Sequence, residues 1–285
     1  MTARALLVIA AALAVAAPAQ AQHWRTLDAS RQLRDTSALA VRVVYGAGKM
    51  DLKPFAGSML YRMNLKYDGD RTEPLAHYDS AAHTLSLGVR SHGMKLSGGD
   101  KEAGALNAEL SARVPMDLTL ELGAVQADLQ LGGLRLTDLS LKGGAAEITL
   151  RFDERNPERL RAMSLDVGAA EVKVLRAGNS GVERVRANVG VGALDLDLGG
   201  ASTRDADISA NVAMGDFTLH VPRDVGVYVN ASTFLASFDK AGLVKRGDGW
   251  YTPNFDTATR HVRVRVRAAF GGFTLSRDAR SNGEP

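Results

Sequence analysis

Six acidic residues recur in similar surroundings. Asp51, Asp128, Glu147, Glu171, Asp195 and Asp216 each follow a short glycine- or alanine-rich turn and open a stretch of alternating apolar residues. Stacked on one edge, like charges would repel. The pattern therefore asks for a cation between them, an interleaved basic row, or carboxylates bonded to their own turn backbone. The Gly-Gly-x-Gly-x-Asp repeat of calcium-binding β-rolls is missing, and the turn reading is preferred. Paired across a cleft, the same acids would suit glycoside cleavage. A polysaccharide-acting enzyme or glycan-binding protein on a β-helix is therefore the alternative. The chain has no cysteine nucleophile, Gly-x-Ser-x-Gly elbow, phosphate loop or dinucleotide fingerprint, so no catalytic residue, metal ligand or cofactor is assigned.

The remaining candidates are side chains for recognition. His77, His83 and His92 fall in one short stretch, but their spacing matches no zinc motif and an extended strand would spread them apart. Arg260, Arg263, Arg265 and Arg267 form a basic row opposite Val262, Val264 and Val266. This reads as a charged edge or outer strand, or as a contact for anionic glycan, lipid head groups or protein. Trp250 and Tyr251 lie in the loop Lys245 to Phe255, the densest aromatic segment of a chain with 6% aromatics; exposed rings stack on sugars or partners, while buried ones cap a stack. The candidate contact residues are thus Trp250, Tyr251, Arg263, Arg265 and Arg267, with an envelope protein or cell-surface glycan as partner. Nucleic acid is not expected, since no aromatics interleave the basic row.

The elements that must carry these residues read as strands. His261 to Arg267, Leu194 to Leu198 and Leu118 to Leu122 alternate apolar with polar, the period of a half-buried strand. The one helical signal is a single turn around Asn156 to Leu160, written Asn-Pro-Glu-Arg. The turn-acid-apolar unit repeats with gaps of 19, 24, 24 and 21 from Asp128 to Asp216, a solenoid period. Stacked units would line up Leu129, Ile148, Val172, Leu196 and Phe217 in one inner column. The fold class is all-β, a β-solenoid-like stack of short strands and glycine turns, with a β-sandwich as the alternative.

At its start the chain carries Arg4, an apolar run from Ala5 to Ala17 and Ala19-Gln20-Ala21. This is the pattern of a secretory signal peptide over residues 1–21, and the apolar run is too short for an anchor. No other stretch is apolar for long enough to span a bilayer as a helix. Removing the one basic residue of the leader leaves 34 basic against 32 acidic residues, or +2. That balance argues against a general polyanion binder. An exported chain with no cysteine has no disulfide staple or lipidated N-terminal cysteine. The expected address is the periplasm or the exterior.

Several of these segments together resemble a known family. Val114-Pro115-Met116-Asp117-Leu118, Gly123-Ala124, Gly143-Gly144-Ala145-Ala146-Glu147-Ile148, Gly168-Ala169-Ala170-Glu171, Met214-Gly215-Asp216-Phe217 and Val221 to Val227 are similar to the toast-rack family. That family is related to the C-terminal domain of LiaF-type cell-wall-active antibiotic response proteins. The resemblance implies a β-solenoid-like fold in the cell envelope, with scaffold, adhesin or envelope-stress roles and no catalytic residues. The expected division of the chain is the leader (1–21), an N-terminal toast-rack β region (22–113) and a C-terminal repeat solenoid (114–285) continuous with it. The function expected is a non-enzymatic extracytoplasmic scaffold or interaction module.

Overall fold

The computed structural model describes residues 23–91, 104–202 and 204–277; the leader and His92 lie outside them. The described residues form one open sheet of fifteen strands. In order they are β1 (Trp24–Gln32), β2 (Leu39–Phe55), β3 (Met59–Asp68), β4 (Thr72–Asp79), β5 (Thr84–Ser91), β6 (Ala105–Ser111), β7 (Pro115–Gln130) and β8 (Arg135–Arg151). They continue with β9 (Ala162–Leu175), β10 (Arg184–Asp197), β11 (Ala206–His220), β12 (Gly226–Phe238), β13 (Val244–Arg246), β14 (Gly249–Tyr251) and β15 (His261–Ser276).

Strands β7 to β11 pair in parallel, each with the next. Parallel neighbours ordinarily need a crossover of about a dozen residues, yet only residues 131–134 join β7 to β8. A straight 16-residue strand would be about 53 Å long, far beyond what such a connection spans. Each long strand must therefore fold back on itself. The alternation shows where. Met116, Leu118, Leu120 and Leu122 are buried before Gly123, whereas Val125, Ala127 and Leu129 are buried after it, so the inward parity changes at the corner. Gly123 also makes the corner possible, because a Cβ there would stand 2.1 Å from the carbonyl oxygen of Gly46 on the rung before.

The stack is thus a solenoid of V-shaped rungs. Leu118, Leu139, Met163, Val185, Ile208, Val264 and Val229 align through one half of the rungs. Ile148, Val172, Leu194, Phe217, Phe273 and Phe238 align through the other. Leu129 and Leu196 belong to the neighbouring column, with Leu150, Val174 and Leu219. The single column expected from acid-to-acid spacing was therefore two residues out of step. An even slip keeps every side chain on its face, which is why alternation alone does not reveal it.

The two ends differ. At the N-terminal end antiparallel strands close the stack: β3 lies on β6 and β1 on β3, while β4 lies on β5. At the other end the order is β11, β15, β12, β14, β13, so β15 is interior and not the edge strand its charges suggested. The helical turn expected at Asn156 to Leu160 is irregular chain. Asn156 instead bonds its neighbours' backbone, and the one 3-10 turn among the described residues is Ala177–Ser180.

Candidate functional surface

The acid row does not form a single column. Asp51 aligns with Asp128, and Glu147 with Glu171, but Asp128 faces Thr149 and Asp195 faces Lys173 and Thr218. The same two-residue slip splits the row in two, and bases fill in between. Lys173 Nζ lies 2.8 Å from Glu171, Arg151 Nε 3.2 Å from Asp128, and His220 Nε2 3.2 Å from Asp195. The Lys173 pKa is raised, first by its bond to Glu171 and then by that charge, with Glu147 and Asp195 adding to it. Asp197 is buried and accepts the Gly199 and Arg176 N–H groups. No cluster of three metal-ligating side chains occurs among the described residues. His77 lies exposed on β4, while His83 Nδ1 stands 3.7 Å from Asp35.

Arg263, Arg265 and Arg267 all point outward from β15, between the buried Val262, Val264 and Val266. Arg260 leaves the row. It is 7% exposed, its Nε donates to the Arg204 carbonyl at 2.8 Å, and burial lowers its pKa. On β11 the three face Asp207, Ser209 and Asn211, and on β12 Tyr228, Asn230 and Ser232. One strand further, Arg186 lies across Ser209 from Arg265. None of Arg186, Arg263, Arg265 and Arg267 forms an ion pair among the described residues. Some arginines elsewhere are paired, as Arg42 is with Glu121, Arg159 with Glu183, and Arg161 with Asp138, while others, such as Arg25 and Arg155, form no ion pair among the described residues. The face of β10, β11 and β15 is thus a basic surface whose floor is uncharged except for Asp207 at the Arg263 end.

The two aromatic candidates part company. Tyr251 sits in register with Tyr228, which is in register with Arg263. The tyrosine rings lie 4.9 Å apart, so Tyr251 extends the arginine face. Trp250 has the opposite parity and turns inward. It stands edge-on to Phe238 at 6.3 Å, closing the column Phe217, Phe273, Phe238, whose ring centroids are 5.2 and 5.3 Å apart. The ammonium groups of Lys240 and Lys245 cover the indole at 5.2 and 5.9 Å.

Two features escaped the sequence reading. Beside the arginine face runs an open trench of about 800 Å³, edged by an amide ladder. Asn188 donates to Asp166 at 2.5 Å and Asn211 to Asn188 at 2.8 Å, and Arg267 is next in register. Along the corner lies a row of exposed apolar residues, Val191, Met214, Phe270 and Leu235, aligned rung to rung with Phe234 alongside. A signal for that row exists: Val191, Met214 and Phe270 each directly precede a positive-φ glycine, Gly192, Gly215 and Gly271.

With this geometry in place, the comparisons settle the lineage. The model of the N-terminal domain of toast_rack (DUF2154) matches residues 19–175, more than half of the chain. The chain belongs to the toast-rack family. The matched toast-rack region runs from β1 to the end of β9 and so includes the first corners of the solenoid. No curated protein matches the sequence. A "putative cell adhesion protein" from Clostridium sporogenes is similar at 13% identity, over 88% of this chain and 99% of that one, with a TM-score of 0.45. A "putative adhesin" from Bacteroides fragilis is similar at 9% identity, over 90% and 98%, with a TM-score of 0.39. Likeness at this level carries no functional argument.

Proposed function

We propose that this toast-rack protein is a non-enzymatic, extracytoplasmic interaction module that engages an anionic partner through the face of β10, β11 and β15. The observation that carries this is the set of outward arginines, Arg186, Arg263, Arg265 and Arg267, opposite uncharged neighbours over most of its length. Unpaired cations on a rigid sheet are free to pair with carboxylates or phosphates. The leader pattern supports the extracytoplasmic address. The acids support a structural role, because Arg151 and Lys173 pair with Asp128 and Glu171, and the His220 ring stands 3.2 Å from Asp195.

The test is binding of the purified protein to polygalacturonate, a model polyanion, beside neutral dextran. Replacing Arg263, Arg265 and Arg267 with glutamine should weaken polygalacturonate binding at least tenfold and make the remainder insensitive to salt. Equal binding by wild type and variant would refute the assignment of this face.

A further inference from the structure

The corner of the last four rungs shows an arrangement that folding does not call for. Val191 is 51% exposed, Met214 53%, Phe270 45%, Leu235 64% and Phe234 78%. The first four are consecutive in one parallel ladder. At about 4.8 Å per rung, that ladder is a crest about 14 Å long. At the same corner of the earlier rungs the residues are Ala47, Ala124, Ala145 and Ala169. The stack thus tolerates alanine there, and the large side chains are confined to the end that carries the arginines. Contiguous exposed apolar surface of this kind marks an interaction site.

We infer that this crest docks the protein on the surface of a bilayer containing anionic phospholipid. This rests on the reading of the β10, β11 and β15 face as an anion-binding surface, and it names the partner. The crest lies on the outside of the fold where the two halves of each rung meet, and Phe234 at its edge also lines the trench beside the arginines. Protruding apolar side chains suit a deformable medium that closes around them. Two such crests from two copies would touch along a line and bury far less than the roughly 1,200 Å² of a stable interface. On one slope lie Asn188, Asn211, Arg267 and Ser232, with Arg265 and Arg263 one and two steps higher. On the other lie Ala193, Asp216, Gly272 and Ser237. The slopes differ in charge, so the protein leans its arginine slope onto lipid phosphates while Phe234, Leu235, Phe270 and Met214 enter the interface.

The experiment is co-sedimentation with vesicles of phosphatidylcholine alone and of phosphatidylcholine with about a third phosphatidylglycerol. It compares wild type, a crest variant (Met214→Ser with Phe270→Ser) and the Arg263, Arg265, Arg267 to glutamine variant. Polygalacturonate binding and sedimentation velocity are measured on the same samples. The expected result is binding to the anionic vesicles at least tenfold tighter than to the neutral ones. The crest variant should lose at least tenfold of this with an unchanged melting temperature and unchanged polygalacturonate binding. Wild type that binds polygalacturonate but no vesicles would overturn the lipid inference and leave the basic face standing. Anionic-vesicle binding by the arginine variant equal to wild type would overturn the basic face, and the inference with it. A dimer that the crest variant dissociates, without vesicle binding, would assign the crest to a second copy and also overturn it.

Discussion

The side chain of Asn156 takes the place of a strand for Leu136. Its amide donates to the Leu136 carbonyl at 2.8 Å, and its oxygen accepts the Leu136 N–H at 2.9 Å. The same amide reaches the Ser180 carbonyl at 3.3 Å, while the Asn156 N–H donates to Asn179. Asn179 repeats the move one rung on, donating to Phe152 and accepting from Ala201. Irregular chain between rungs is stitched by two asparagines.

Asn156→Ala should therefore cost about 1–3 kcal/mol, because backbone groups of Leu136 and Ser180 lose their partners. Asn156→Asp should not rescue it, since a carboxylate cannot donate to the two carbonyls. Chemical denaturation of the three proteins decides this.

Gly215 has φ 137°, and a Cβ there would stand 1.7 Å from the Gly192 carbonyl oxygen. Gly215→Ala should cost about 3 kcal/mol or more, from strain and displacement of the neighbouring rung. Gly242 has φ 73° and open space around it, so Gly242→Ala should cost only about 1–2 kcal/mol. Equal losses would show that the corner is not the constraint.

Tyr45 is 2% exposed, its hydroxyl has no hydrogen-bond partner among the described residues, and burial pushes its pKa up to about 12. The folded state thus favours the neutral phenol. Below pH 10 this leaves stability unchanged, and between about pH 10 and 12 it removes up to about 3 kcal/mol as the unfolded chain ionises. Tyr45→Phe should be neutral or stabilising at pH 7 and should flatten the alkaline limb of the melting temperature.

Glu121 and Asp117 should respond to acid in opposite senses. The bond from Arg42 lowers the Glu121 pKa, so its contribution is present at neutral pH and lost as pH falls through the folded value. Both partners are partly exposed, so Glu121→Gln should cost no more than about 1 kcal/mol at pH 7. Desolvation by the surrounding strands, then the Asp138 charge, raises the pKa of Asp117 against the pull of Arg161, although the side chain is exposed. The charged form is disfavoured in the fold, and Asp117→Asn should raise the melting temperature at pH 7 with a gain that fades in acid. Thermal melts from pH 3 to 7 read both signs.

The strands, the glycine corners and the repeat were legible because they are written in parity and spacing, which local sequence carries. The register was not. Counting from Asp128 to Glu147 gives 19, but the rung neighbour of Glu147 is Gln126. Any even displacement satisfies the same alternation, and only the backbone ladder chooses among them. The apolar crest was hidden for the same reason, since Val191, Met214 and Phe270 become neighbours only once the true register is known. Tyr251 and Trp250 differ by one position, and that single step sends one to the arginine face and the other, half-buried, against the end of the core.

The position of β15 bears on how the chain is completed. Because β15 slots between β11 and β12, the strand made earlier has no sheet to join until the later one arrives. A chain leaving a ribosome or a translocation pore from its N-terminus would zip rung by rung to β11 and then wait, with β12 and its hairpin unanchored. The last 16-residue strand is a keystone. A copy truncated before His261 would keep the earlier rungs but lose Arg263, Arg265, Arg267 and Phe270 and leave β12 and its aromatic cap without the strand they join, so only finished molecules carry the whole proposed surface.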